Sequence, residues 1–359
     1  MINLSSINVI WNGRPVGRLA LNPRQLCVFE YSPEFISDGV SISPFDLPLR
    51  PGVFTARPTP FDGGFGVFDD SLPDGWGQLI LDRHLQSQGI NPRELNLLDR
   101  LALVGSQGRG ALEFIPDRSS NSILALDDYE FLAREARKIL SDEEYQGRGI
   151  EEFQLRGGSP GGARPKIFTR FDGKEWLVKF PARHDGDRIG ATEYKYSLLA
   201  KRCGIEMPET RLIENKYFAV ERFDRSGDKK LHVVSAAGLL NADYRLPSID
   251  YMHLFKLCSM LTHDQADIDR LYRLMTFNYL IGNKDDHAKN FAFIYRDDAW
   301  HLAPAFDLLP SEGMNGYHTT SFNDNIRPDK TTLLAIADKV GIGTQKAKII
   351  IQQIEERLG

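Results

Sequence analysis

Between residue 7 and about 60, the order of apolar and polar positions is that of β-structure broken by Pro and Gly. Ile7 to Trp11 reads as a strand, Asn12-Gly13 as a tight hairpin turn, and Arg14 to Leu21 as the return. The run Asp70-Ser71-Leu72-Pro73-Asp74-Gly75-Trp76-Gly77 predicts a turn entering an amphipathic helix with Leu79, Ile80, Leu81, His84 and Leu85 on its inner side. A second helix is expected over Leu95 to Val104. A linker at Arg118-Ser119-Ser120-Asn121 then precedes a helix from about Leu126 to Leu140, whose Leu and Ile recur on one face and must pack on something. Glu152 to Leu155 reads as a strand, Arg156 to Lys166 as a Gly-rich loop, and Ile167 to Phe171 as a second strand. Asp172-Gly173-Lys174 makes another hairpin turn into the strand Glu175 to Phe180. A helix is expected from about Ala191 to Cys203, a strand over Tyr217 to Val220, and a helix from about Asp267 to Leu280. Last comes a hairpin, with Phe291 to Tyr295 as one strand and Trp300 to Ala303 as its partner.

Composition changes this picture little. With 42% hydrophobic and 26% charged residues and no low-complexity tract, the 359-residue chain should fold, and its length favours two lobes over one core. Forty-four Lys and Arg against 49 Asp and Glu give a net charge of −5, which argues against a sequence-independent grip on nucleic acid or an anionic membrane. Cys27, Cys203 and Cys258 are widely spaced, so neither a disulfide framework nor a zinc knuckle is indicated. The first residues carry no basic stretch leading into an apolar core, and no segment approaches 18 consecutive apolar residues. The expected location is the cytoplasm.

Candidate chemistry begins at the Gly-rich loop. Glycines let a backbone approach a phosphate and aim its N–H groups at the oxygens. Gly157 and Gly162 have the separation of a Walker A motif, but Ala163-Arg164 stands where Lys-Ser/Thr is required. Lys179 closes the apolar run of its strand, where an ammonium needs an anion. Glu193 follows fourteen residues later in the first turn of a helix, as in the Lys–Glu pairs with which kinase folds hold nucleotide phosphates. Glu221-Arg222-Phe223 ends a strand at a natural hinge.

The densest constellation is Asn283-Lys284-Asp285-Asp286-His287-Ala288-Lys289-Asn290, followed through the hairpin by Ala305-Phe306-Asp307. The hairpin should return Asp307 beside Asp285 and Asn290. Two carboxylates and an amide oxygen around one point suit Mg²⁺. An Asp as base, an Asn five positions on and a second metal Asp after a short hairpin form the kinase arrangement. That spacing favours Asp285 over Asp286 as base. His287 and Lys289 could orient the loop or meet phosphate, and for His287 a structural hydrogen bond is an equal alternative. Residues 1 to about 118 offer no comparable set and read as a packing or docking module.

These residues resemble the HipA family of bacterial serine/threonine kinases, the toxin halves of type II toxin–antitoxin pairs. The likeness runs through Asp70 to Gly77, through Gly157 to Pro310 and above all through Asn283 to Asn290. It implies an α+β, two-lobed protein-kinase-like fold: a β-rich accessory domain over 1–118, a kinase N-lobe with Gly-rich loop and hinge over 119–240, and an all-helical C-lobe over 241–359. It further implies ATP and Mg²⁺ as cofactors, with Asp285 as proton acceptor, Asn290 and Asp307 as metal ligands, and Lys179 as the phosphate lysine. Gly161, Gly162, Ala163, Arg164 and Lys166 would cover the phosphates, and Glu221, Arg222 and Phe223 would form the adenine hinge. Ser159 matches the family's regulatory autophosphorylation site. Arg164-Pro165 is closer to the HipT-like relatives. The implied partners are a HipB-like helix-turn-helix antitoxin, DNA only through that antitoxin, and a protein substrate such as an aminoacyl-tRNA synthetase. A catalytically silent binding partner of the antitoxin and a small-molecule kinase are the competing readings. An intact Lys179, Asp285, Asn290 and Asp307 set speaks against silence, because charges kept together without a metal are costly.

Overall fold

The structure, a computed structural model, describes residues 3–119, 128–142, 144–145, 147–157, 162–183, 185–313 and 315–359. Ser159, Gly161 and the linker residues Ser120 and Asn121 lie outside the described residues. The chain divides into two compact units, one of residues 1–191 and 209–232, the other of 192–208 and 233–359.

The first unit opens with an antiparallel sheet of order β4-β3-β2-β1-β5, made of β1 (Ser6–Trp11), β2 (Arg14–Leu21), β3 (Cys27–Tyr31), β4 (Val53–Thr55) and β5 (Leu112–Ile115). Asn12 and Gly13 both have positive φ, the geometry that lets a two-residue turn match the strand twist. Around this sheet lie α1 (Pro33–Asp38), α2 (Gly66–Asp69), α3 (Gly75–Ser87) and α4 (Leu97–Val104). α4 is capped by Asn96 and Asp99 in a reciprocal capping box. In α3 the buried face is Trp76, Ile80, Leu81 and Leu85, while Leu79 and His84 are only half-buried.

Two further helices follow, α5 (Tyr129–Ser141) and α6 (Arg148–Gly157). Glu152 to Leu155, expected as a strand, is therefore helical. Ile150 and Phe153 are buried three positions apart and Glu152 pairs with Arg156 at 3.3 Å one turn on, so burial and charge both follow the helical period. The second antiparallel sheet has the order β6-β7-β9-β8, from β6 (Lys166–Phe171), β7 (Lys174–Lys179), β8 (Thr210–Ile213) and β9 (Tyr217–Glu221). Asp172 and Gly173, both at positive φ, make the β6–β7 turn. This sheet shares one core with α3, α5 and α6, built on Trp76, Leu132, Ile139, Phe153, Trp176 and Val178. Fully burying side chains of this size contributes about 1.5–3 kcal/mol each. A two-stranded ribbon, β10 (Arg225–Ser226) with β11 (Lys229–Lys230), completes the unit.

The second unit is built on α7 (Ile189–Arg202) from residue 192, then α8 (Ala236–Leu240), α9 (Tyr251–Thr262), α10 (Gln265–Ile281), α11 (Lys330–Lys339) and α12 (Thr344–Leu358). It is not all helical, which corrects the C-lobe expected from the resemblance. A sheet of order β12-β13-β14, from β12 (His232–Ser235), β13 (Ala292–Arg296) and β14 (Ala299–Leu302), lies in its midst, because Phe293 to Arg296 pairs in register with Ala299 to Leu302 behind the buried run Ala292 to Ile294. The α+β class stands. Among the described residues no helix is long and apolar enough to cross a membrane.

Candidate active site

α10 ends at Gly282, whose φ of +69° turns the chain out of the helix. The loop that follows is held by its neighbours rather than by itself. Asn283 Nδ2 donates to Asn278 Oδ1 (3.0 Å) and to the Asp307 carbonyl (3.3 Å). The Ser311 hydroxyl accepts the consecutive N–H groups of Lys284 (2.9 Å) and Asp285 (2.8 Å), and the Ser311 N–H donates to the Gly282 carbonyl. The segment 307–311 thus lies along 282–285, as the hairpin return requires.

Within the loop the two adjacent aspartates part company. Asp286 is wholly buried and its carboxylate accepts from Tyr251 Oη (2.9 Å), Thr319 N (2.9 Å) and Thr320 N (3.2 Å), with His318 Nδ1 at 2.9 Å. Burial, followed by the Asp286 charge, pushes the Tyr251 hydroxyl well above its ordinary pKa, so it stays a donor. With Asp286 pinned inward, the Asp285 side chain is 69% exposed. His287 Nε2 stands 3.9 Å from Asp285 Oδ1, and its Nδ1 is buried with no hydrogen-bond partner among the described residues. Lys289 sets its ammonium 4.0 Å from the centre of the Tyr244 ring.

Asn290 Nδ2 donates to the Asp285 carbonyl at 2.7 Å, which leaves its Oδ1 as an acceptor without a partner among the described residues. Asp307 adopts φ +55°, a left-handed conformation uncommon outside glycine and concentrated at functional sites. An unengaged amide oxygen tied to the loop of one carboxylate, with a second carboxylate on the segment packed beside it, is an all-oxygen donor set of the kind Mg²⁺ takes. The residues present fit that ion.

The first unit carries Lys166, Lys179 and Arg164. Lys166 and Lys179 face each other directly across β6 and β7, both buried, and Lys179 also lies 5.6 Å from the Phe218 ring centre. The pair joins edge strand β6 to inner strand β7, and two neighbouring ammonium groups make this a place that favours negative charge. Lys166 reaches the backbone of Gly162, 2.7 Å from where a Cβ would stand. Arg164 is held by Asp185 through two hydrogen bonds, at 2.9 and 3.2 Å, and Ala163 lies beside it at the surface end of the loop.

The expected hinge is more committed than its sequence shows. The N–H groups of Glu221 and Arg222 donate to Glu209 and Glu175 carbonyls, and the Glu221 carboxylate pairs with Lys174 at 2.8 Å. Arg222 is buried, bonded to Asp224 and the Gly108 carbonyl and laid 4.0 Å over the Phe168 ring. Its side chain therefore braces the unit; Phe223 follows it in the chain. Glu193 is buried in α7 of the second unit, as the fifth residue and so just past the first turn expected for it. Sequence reasoning gave Asn283 no role of its own and missed Ser311 and the Asp286 anchors Tyr251 and residues 318–320; Ser311 stands beside Pro310, but the anchors carry no signal near the polar loop.

The chain is similar to known proteins over most of its length. The HipA N-terminal domain matches residues 7–115 and the HipA-like C-terminal domain residues 158–359. "Putative kinase Y4dM" of Sinorhizobium fredii is 26% identical over 67% of this chain and 61% of its own length. The serine/threonine-protein kinase toxin HipA of Shewanella oneidensis is 22% identical over 66% of this chain and likewise 61% of its own. The chain thus spans about three fifths of these curated relatives. A solved complex of Shewanella oneidensis MR-1 HipA, HipB and operator DNA superposes with a TM-score of 0.72 at 18% identity, covering 98% of this chain and 88% of that one, which establishes the fold. With the C-terminal domain match alone extending over more than half of its residues, this chain belongs to the HipA family.

Proposed function

We propose that the protein is an ATP- and Mg²⁺-dependent serine/threonine protein kinase of the cytoplasm, acting as the toxin of a toxin–antitoxin pair. The observation that carries this reading is the division of labour at residues 285–290: Asp286 is buried as an anchor, Asp285 is presented outward, and Asn290 is fastened to the Asp285 backbone with its oxygen unengaged. In the reaction an acceptor hydroxyl attacks the γ-phosphorus of ATP, the new O–P bond forms as the bond to the β-phosphate oxygen breaks, and ADP leaves. Asp285 takes the hydroxyl proton. Asn290 and Asp307 would hold Mg²⁺, which when bound neutralises charge on the phosphate oxygens. Lys166 and Lys179 bind the phosphates, Gly161 to Arg164 cover them, and Glu193 completes the charged set we assign to the nucleotide. Phe223, with its neighbours Glu221 and Arg222, is assigned to the adenine edge. His287 and Lys289 orient the loop.

A HipB-like antitoxin as partner is supported by the HipA–HipB–DNA complex to which the fold is similar, and the net charge of −5 is consistent with leaving DNA contact to that partner. The proposed substrate is a translation-related protein such as an aminoacyl-tRNA synthetase. Regulation is assigned to Ser159, where a phosphate adds nearly two negative charges to a loop that must itself bind phosphate. Intact mass after incubation with ATP and Mg²⁺ tests the chemistry: the wild type should gain one phosphate, at Ser159, and Asp285→Asn and Asp307→Asn none. Unchanged wild-type mass with no ATP-dependent rise in melting temperature would sink the kinase reading.

A further inference from the structure

The turn before α3 holds a part that the proposed chemistry leaves unused. Asp74 stands at the N-cap of α3, yet its carboxylate makes no capping hydrogen bond to that helix, although Asp is among the preferred caps. Instead Asp74 Oδ1 accepts the backbone N–H of Gly162, 88 positions along the chain. Trp76 N–H, one of the donors that a helix start leaves without an internal partner, donates to the Gly162 carbonyl at 3.1 Å. Both backbone groups of Gly162 are therefore engaged by residues 74 and 76. Between them Gly75 has φ +47°, and a Cβ there would stand 2.7 Å from the Gly162 oxygen and 3.0 Å from Ala163 Cα, so the approach excludes any side chain.

Trp76 also reaches the helix that leads into the Gly-rich loop. The buried Trp76 ring meets Phe153 edge-on at 4.9 Å, and Phe153 belongs to α6, the helix that runs into the loop. One short turn thus holds α6, through Phe153, and the loop itself, through Gly162.

We propose that Asp74, Gly75 and Trp76 are positioning residues for the Gly-rich loop, holding α6 before it and Gly162 within it so that less ordering is required when phosphates bind. A carboxylate accepting an N–H is a strong form of hydrogen bond. What the loop binds rests on the kinase reading; the clamp itself does not.

The test uses the full chain as wild type, Asp74→Ala, Asp74→Asn and Gly75→Ala. Without nucleotide, the Gly162 amide, followed by hydrogen exchange in NMR, should exchange about tenfold or more faster in Asp74→Ala and in Gly75→Ala, corresponding to about 1.4 kcal/mol. Asp74→Asn, whose side-chain oxygen still accepts, should stay within about threefold of wild type. Unaltered exchange over Ser6–Trp11 confirms an intact fold. A fluorescent ATP analogue should bind Asp74→Ala about tenfold more weakly, with turnover at saturating ATP within about twofold of wild type. Wild-type exchange in Asp74→Ala and Gly75→Ala overturns the clamp, and faster exchange with unchanged nucleotide affinity overturns its positioning role. If the wild type binds no nucleotide, the kinase reading fails while the exchange data still decide the clamp.

Discussion

Asp285 and Asp286 are neighbours of identical chemistry, and their surroundings give them opposite work. Asp286 satisfies four buried donors, so Asp286→Ala leaves Tyr251 Oη, His318 Nδ1 and two backbone N–H groups without a partner. The expected loss of stability is about 3–5 kcal/mol. Asp285→Ala removes a side chain that is 69% exposed, and its stability should stay within about 0.5 kcal/mol of wild type while turnover falls about 10²- to 10⁴-fold. Urea denaturation alongside a phosphorylation assay measures both. If Asp286→Ala proves the more stable of the two variants, the assignment of anchor and base is reversed. The spacing to Asn290 favoured Asp285 in the sequence, but the reason for the choice, four donors converging on the next carboxylate from residues 251 and 318–320, lies 32 or more positions away in the chain.

At the scale of elements, the hairpins were legible and one helix was not. Asn12-Gly13 and Asp172-Gly173 encode positive φ locally, so turn chemistry alone marks β1–β2 and β6–β7. Glu152 to Leu155 is too short a run for its period to be decisive, and only Ile150 and the Arg156 pair, outside it, make the helix evident. The end of β9 is tied in by a buried ionic cluster: Arg222 and Arg225 bracket Asp224, both also pair with Glu175, and Asp224 Oδ2 accepts the Gly110 N–H at 2.8 Å. Burial alone would raise the Asp224 pKa, but the two guanidinium groups outweigh it and hold the carboxyl well below the usual carboxylate range. A depressed carboxyl contributes stability above its unfolded pKa, near 3.9, that is lost as pH falls. Asp224→Asn strips the charge from between two buried cations and should cost about 3–5 kcal/mol at neutral pH. Denaturant titration at pH 7 checks it; a loss under 1 kcal/mol would show that Glu175 alone neutralises the pair.

For the whole molecule, the acid limit of stability should be set partly by His232. It is buried against the Trp11 ring, with Nε2 2.8 Å from the Ile42 carbonyl, and burial lowers its pKa to about 4 although the carbonyl opposes the shift. The folded chain keeps this histidine neutral, whereas the unfolded chain protonates it near 6.5. Between about pH 6.5 and 4 the unfolded state therefore binds the extra proton, and stability falls with falling pH by about 3 kcal/mol. His232→Asn should flatten that part of the stability–pH curve, whatever it does to the absolute value; an unchanged slope would assign the acid sensitivity elsewhere. The histidine draws its effect from Trp11 and Ile42, about two hundred positions away, and no local pattern announces that. The sequence by itself determined what is local: hairpin turns, amphipathic helix faces, a polar run at 283–290 set between apolar elements, and the residue types a phosphate and a metal require. Tertiary structure alone decided which aspartate is pinned and which presented, that Arg222 braces rather than reaches out, and that Asp74 serves Gly162 instead of its own helix. Those outcomes depend on burial and on hydrogen-bond partners brought together from distant positions, and a linear pattern carries neither.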